Sequence, residues 1–311
     1  MIKVDLITGF LGSGKTTFMK KYAEYLIQKG MNIGILENDH GAVNVDMMLL
    51  NDLEGEHCEL EMIAGGCDLE THRRRFKTKL IAMGMCGYDR VLIEPSGIFD
   101  VDEFFDALYE EPLDKWYEIG NVITIVDAGL PKQLDRQGEY LLASEAAAAG
   151  CVVLSKCQKY LEKQAEAAIN HLNRALENIK CSRRFQDDVL CKDWNALTDQ
   201  DFQRLLGCGY RTEAYEKQYF DEKQGYDTLY FMNMKIPGER LAKTAEKILK
   251  DPVCGRVSRI KGFIREEESW LELNATHREI TVGSVSAGQE VIIVIGEEMN
   301  REQIQAYWEK G

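Results

Sequence analysis

The chain has 311 residues, 45% of them hydrophobic, enough for one large or two medium domains with packed cores. Its net charge of −14 repels phosphate backbones and anionic lipid heads, which argues against nucleic acid and membrane surfaces as partners. No apolar run of about 18 residues is present, and the opening "MIKVDLITGF" lacks the basic, apolar and small-residue regions of a signal peptide, so a cytoplasmic protein is expected. In that compartment the nine cysteines, which include no CxxC pair, are expected as free thiols, buried residues or metal ligands.

In chain order, "KVDLITG" (3–9) predicts a strand, and residues 15–29 place Phe18, Tyr22, Tyr25 and Leu26 at helical spacing. "NIGILEN" (32–38), "RVLIEPSG" (90–97), "NVITIVDA" (121–128) and "GCVVLSK" (150–156) are further strands. Each is a near-continuous apolar run, as expected of strands covered on both faces. Helical stretches separate most of them, which predicts a parallel sheet with crossover helices. A polar, weakly periodic stretch from about 180 to 225 is expected to hold short helices and the interdomain connection. Beyond it the strands come grouped, at 226–236, 255–266, 269–275, 278–283 and 290–296, with helices at 238–251 and 300–310. That grouping predicts a small α+β domain.

"TGFLGSGKTT" (8–17) fits GxxxxGK[ST] and lies between a predicted strand and a predicted helix. Gly9, Gly12, Ser13 and Gly14 let backbone N–H groups wrap a phosphate. Lys15 reaches the outer phosphates, Thr16 can ligate Mg²⁺, and Thr17 completes the motif. "VLIEPSG" ends a buried strand at Glu94, whose carboxylate can face that Mg²⁺ or an attacking water, while Gly97 can lend an N–H to the γ-phosphate.

With these motifs the chain resembles the CobW-type P-loop GTPases and metallochaperones, relatives of the GTPases that insert nickel into urease and hydrogenase. "ENDHGAVNVD" (37–46) is similar to the family's switch segment ENEFGxVxID, "IEPSG" to IETSG, and "VITIVDA" to VVTVVDA with Asp127 in place. "SRIKGF" (258–263) followed by "VIIVIG" (291–296) resembles the family's C-terminal domain.

Two departures stand out. The family carries Gly-Cys-x-Cys-Cys after the switch segment, and those thiolates bind zinc or cobalt; here Gly66-Cys67-Asp68-Leu69-Glu70 keeps one cysteine. A site for Zn²⁺ or Co²⁺ could still assemble from Cys67 and Glu70 or His72, with Glu37 or His40; His57-Cys58 is a further donor pair. The alternative is a buried, inert cysteine. The second departure replaces the guanine-reading Asn-Lys-x-Asp with Ser155-Lys156-Cys157-Gln158. Lys156 can still lie along the base, but Gln158 cannot repeat the carboxylate's bidentate acceptance, so ATP becomes an option beside GTP.

"THRRRFK" (71–77) is expected to be the exposed face of a helix or to pair with acidic neighbours; its lesser reading is an arginine supplied across a homodimer. Met232 and Met234 read as one face of a core strand.

The expected architecture is a P-loop NTPase α/β domain over 1–215, a mostly parallel sheet with flanking helices, and a small α+β domain over 226–311. The expected chemistry is Mg²⁺-dependent hydrolysis of GTP, with ATP as the option, at Lys15, Thr16, Glu37 and Glu94. Nucleotide state would order the switch segment, with Glu37 and Asp39 in it, and gate delivery of a metal or metal-cofactor to a client protein. The competing expectation is a nucleotide-driven reactivator of a corrinoid or other metalloenzyme that carries no metal itself. A small-molecule kinase ranks lower because it leaves the C-terminal likeness unexplained.

Overall fold

Apolar runs form the strands of a parallel sheet, and a computed structural model of the chain describes residues 1–39, 46–64, 69–95, 101–218, 227–266, 269–285 and 288–310. In chain order the elements are β1 (Ile2–Thr8), α1 (Lys15–Gln28), β2 (Ile33–Asp39), α2 (Asp46–Leu50), β3 (Cys58–Ala64), α3 (Leu69–Met83), β4 (Arg90–Pro95), α4 (Val101–Leu108), α5 (Leu113–Trp116), β5 (Tyr117–Asp127), α6 (Arg136–Ala147), β6 (Cys151–Ser155), α7 (Glu162–Asn178), β7 (Val189–Cys191) and α8 (Asp199–Leu206). There follow β8 (Asp227–Met232), α9 (Gly238–Lys250), β9 (Arg256–Glu266), β10 (Ser269–Thr276), β11 (Ile280–Val285), β12 (Val291–Glu297) and α10 (Arg301–Lys310). The chain folds as two units, Met1–Gln218 and Tyr219–Gly311.

In the first unit seven strands pair in the order β3-β2-β4-β1-β5-β6-β7, all parallel. β1 lies between β4 and β5, so the connections leaving it and its neighbours diverge to the two sides. In open α/β sheets that divergence at the carboxyl ends of the strands is where ligands bind. Phe18, Met19, Tyr22, Ala23 and Leu26 put one face of α1 onto the sheet with no exposed surface. Full burial of a side chain such as Phe18 or Leu26 contributes about 1.5–3 kcal/mol.

A buried polar knot fixes α1 to β1. Asp5 accepts from Arg90 at 2.5 Å, from the Tyr22 hydroxyl at 2.8 Å and from the Asn121 backbone N–H at 2.9 Å. Burial pushes the Asp5 carboxyl up from its ordinary value, while the neighbouring Arg90 opposes that shift.

Two strands of this sheet carry no continuous apolar signal. β3, "CELEMIA", is an edge strand that alternates acidic and apolar residues. β7 has three residues and closes the other edge. The stretch expected to hold short helices and a connection thus also supplies the last strand.

The second unit is a five-stranded antiparallel sheet in the order β11-β10-β9-β12-β8. Leu241, Ala245 and Ile248 of α9 share its core with Ile304 and Trp308 of α10. Met234 packs against this core, but Met232 is exposed, which corrects the expectation that both lie on a core face; Phe231 takes the buried position in β8.

Candidate functional site

The loop from Gly9 to Gly14 joins the buried end of β1 to α1. Gly9 takes φ 140°, and a Cβ there would lie 2.3 Å from the Ile125 carbonyl oxygen, so the turn requires glycine. Gly14 caps α1 at φ 100° with no side-chain cap. The first N–H groups of the helix are therefore left without a capping side chain, and with the helix dipole they form an anion-binding end. Ser13 is buried, and its hydroxyl has no hydrogen-bond partner among the described residues, as suits a donor held for a phosphate oxygen. Lys15 Nζ donates to the Gly9 carbonyl at 2.9 Å, which folds the ammonium back over the loop it would share with a phosphate.

Thr16 Oγ1 donates to Glu94 Oε1 at 3.1 Å. The two residues expected to hold Mg²⁺ are thus brought together from α1 and the end of β4. Glu37 on β2 is the register partner of Glu94. Parallel strands lie about 4.8 Å apart, so two carboxylates on one face of the sheet border the loop. Lys15, Thr16, Glu37 and Glu94 are only 8%, 7%, 3% and 6% exposed. Carboxylates this buried are stabilised by a cation or by hydrogen bonds, and the hydroxyl–carboxylate pair is a hard-oxygen donor set of the kind Mg²⁺ takes. The residues present fit the ion. Asn38, buried beside Glu37, has no partner for either amide atom among the described residues.

Glu145, fully buried on α6, accepts the Gly9 N–H at 2.8 Å. Its backbone carbonyl also takes the Thr8 and Thr124 hydroxyls at 2.8 and 2.9 Å. The sequence reading missed this residue, because a single Glu inside "LLASEAAAA" has no motif to mark it. Trp194, likewise missed, lies across the loop: a Cβ on Gly14 would be 3.3 Å from its ring, and its Nε1 donates to the Leu154 carbonyl at 3.0 Å.

The segment expected to read the base sits at the ends of β5 and β6, beside β7. Lys156 takes φ 59° and pairs with Asp127 at 2.7 Å, and Asp127 also accepts the Gly129 N–H at 2.8 Å. Ser155 is buried at the end of β6, Thr17 is exposed in the first turn of α1, and Gln158 is exposed on the 3₁₀ turn Cys157–Lys159.

Of the residues expected to hold a transition metal, Glu37 and His72 are buried, the latter in the first turn of α3. Cys67, His40 and the side chain of Glu70 lie outside the described residues, as do Gly97 and the side chain of Asp39. Among the described residues no three His, Cys, Asp or Glu side chains gather into a metal-binding group. His57-Cys58 is not near this end. Cys58 opens β3 in register with Ile33, whereas Ala64 closes it beside Asp39, so the pair sits about 20 Å away along the strand. In "THRRRFK", Arg73 and Lys77 both reach Glu110, at 2.5 and 2.8 Å, and hold its carboxyl below the ordinary range.

A glycine-bound loop between a central parallel strand and an uncapped helix, with a buried threonine–glutamate pair beside it, defines a P-loop nucleotide-binding protein. A family model described as "CobW/HypB/UreG, nucleotide-binding domain" matches residues 3–186, and the chain belongs to that family. Among its relatives, the zinc chaperone YjiA of Escherichia coli (strain K12) is 31% identical over 41% of each chain. The zinc chaperone YeiR of the same strain is 29% identical over 54% of this chain and 50% of its own. The zinc chaperone CobW of Pseudomonas aeruginosa is 26% identical over 58% of this chain and 57% of its own. The chain thus spans about half the length of these relatives, between 41% and 57%.

Proposed function

We propose that the protein is a Mg²⁺-dependent nucleoside triphosphatase, for GTP or ATP, whose nucleotide state gates delivery of a transition metal to a client protein. The observation that carries the catalytic part is the buried pairing of Thr16 with Glu94 at the mouth of the loop. Bound there, Mg²⁺ supplies charge neutralisation on the β- and γ-phosphates. The loop amides and the Ser13 hydroxyl hold phosphate oxygens, and Lys15 turns from the Gly9 carbonyl towards the outer phosphates. Thr16 and Glu94 orient the ion, and Glu37 stands beside Glu94 to sense the γ-phosphate or position water. Gly97 would add a backbone N–H there. Ser155, Lys156 and Gln158 face the base.

The cargo reading rests on the family and on relatives named as zinc chaperones. Cys67, with Glu37, His40, Glu70 and His72, is its proposed donor set for Zn²⁺ or Co²⁺. The setting is the cytoplasm, with a protein client, no nucleic acid and no membrane, and a homodimer as the assembly that could place an arginine across the nucleotide.

Zinc and cobalt titration of the purified protein, without nucleotide and with GTP·Mg²⁺ or ATP·Mg²⁺, tests the cargo step. Sub-micromolar binding that one nucleotide strengthens and Cys67→Ala abolishes is expected. Binding no tighter than micromolar in every state would overturn metal delivery and pass the function to a nucleotide-driven reactivator of a metalloenzyme.

A further inference from the structure

Two thiols meet where the base-reading loops leave the sheet. Cys157 sits between Lys156 and Gln158 on the turn after β6, and Cys191 is the last residue of β7. Their Sγ atoms are 3.4 Å apart. The chain positions are 34 residues apart, so this contact is made by the fold, through the parallel pairing that sets Leu154 beside Cys191. A disulfide bond is about 2.05 Å long, and reaching it needs about 1.4 Å of further approach. Cys191 is exposed and Cys157 is half-buried, so one thiol is open to a reagent and the other stands behind it.

The contact is joined to the nucleotide site at three points. Cys157 Sγ and the Trp194 indole N–H both donate to the Leu154 carbonyl, at 3.4 and 3.0 Å. Trp194 follows Cys191 by three residues and lies against Gly14 of the phosphate loop. Lys156, which precedes Cys157, is held by Asp127. Moving Cys157 towards β7 therefore displaces the segment that carries Lys156 and Gln158, and it acts on the residue that packs on the loop.

We propose that Cys157 and Cys191 form a reversible disulfide, driven by a low-molecular-weight disulfide such as glutathione disulfide, and that its closure weakens nucleotide binding. The nucleotide part rests on the assignment of Ser155 to Gln158 as the base-reading segment. The chemistry runs in two exchanges. Deprotonated Cys191 attacks one sulfur of glutathione disulfide; its S–S bond breaks and one glutathione leaves, taking up the proton. Cys157 then loses its proton and attacks the Cys191 sulfur of the mixed disulfide, and the second glutathione leaves as a thiol. Two protein thiols are oxidised and one glutathione disulfide is reduced to two thiols. Burial and the neighbouring thiol push Cys157 up to about 12, which agrees with the exposed Cys191 acting first. An inert packing pair would be shielded on both sides, whereas this one opens to solvent through Cys191.

The full chain is equilibrated with reduced and oxidised glutathione, blocked with an alkylating reagent and mapped by peptide mass spectrometry. In parallel, fluorescent guanine and adenine nucleotides report Kd. A cross-linked Cys157–Cys191 peptide, with Kd raised about tenfold by loss of one hydrogen bond's geometry, is expected. Cys191→Ser and Cys157→Ser should each abolish the cross-link, and Cys191→Ser should keep the reduced-state Kd under oxidation. Two alkylated thiols under oxidising glutathione, in protein that binds nucleotide, would overturn the disulfide and leave the proposed function standing. A cross-link with no change in Kd would overturn its control of the site. Absence of nucleotide binding by the reduced protein would instead sink the proposed function, while the mass map still judges the dithiol.

Discussion

The phosphate half of the site, at the ends of β1, β2 and β4, keeps Lys15, Thr16, Glu37 and Glu94 between 3% and 8% exposed. The base half, at the ends of β5, β6 and β7, leaves Gln158 exposed and the Lys156 side chain 32% exposed. The halves also differ in how their members depend on one another. Thr16 and Glu94 come from different elements and share a hydrogen bond in a buried place, so a change in one is felt by the other. Gln158 sits at the surface, where a changed side chain meets water. Under the proposed function, the residues assigned to phosphate are the ones the fold buries, and those assigned to the base are the ones that can change with least cost to the fold.

The largest expected effect breaks the phosphate half. Glu94→Gln keeps the shape but removes the charge proposed to orient Mg²⁺, and kcat should fall about 10²–10³-fold with Kd for nucleotide changed little. An equal fall in affinity would show that Glu94 acts in binding rather than in turnover. On the base half, Gln158→Asp restores a two-oxygen acceptor for the guanine edge. Competition assays should move the preference towards GTP by about 10²-fold, and an unchanged GTP/ATP ratio would remove Gln158 from the base site.

A smaller effect is expected behind the loop. Glu145→Ala leaves the buried Gly9 N–H without its acceptor and should cost about 1–3 kcal/mol in urea unfolding. A cost near zero would mean that water replaces the carboxylate.

The smallest effect is a pH dependence beside the base half. Asp201 accepts from Lys192 at 2.7 Å and caps α8 through Thr198. Hydrogen bonds from Lys192 and Thr198 hold its carboxyl at about 2, below the ordinary value of 3.8. The folded value is lowered, so this stability is present above the unfolded value and is lost as pH falls from about 4 towards 2. Asp201→Asn should lower Tm slightly at pH 7, and the gap to the unsubstituted protein should close by pH 2. A gap that stays constant across that range would assign the role to the helix cap alone.

The difference between the halves also explains what the sequence could tell. Gly9, Gly14, Lys15 and Thr16 are readable because one contiguous loop does the work and its spacing is set by phosphate geometry. Glu94 is readable because a carboxylate ends an otherwise apolar run. The parallel strands covered on both faces were legible for the same reason. The edge strands were not: β3 alternates Glu59 and Glu61 with apolar residues, and β7 is three residues long. Glu145, Cys191 and Trp194 reach the site from α6, from the end of β7 and from just beyond it by tertiary placement, which no local spacing records. The misplaced His57-Cys58 pair shows the converse. Closeness in sequence to Cys67 hid the fact that the whole of β3 separates the pair from the strand end where Ala64 lies beside Asp39.

The most direct test of the account is steady-state phosphate release from GTP and ATP by the intact chain and by Lys15→Ala, each with and without Mg²⁺. The account expects turnover that requires Mg²⁺ and falls at least about 10²-fold in Lys15→Ala while the protein stays folded. Turnover that survives both the substitution and removal of Mg²⁺ would contradict it, because phosphate chemistry would then lie outside the loop between β1 and α1.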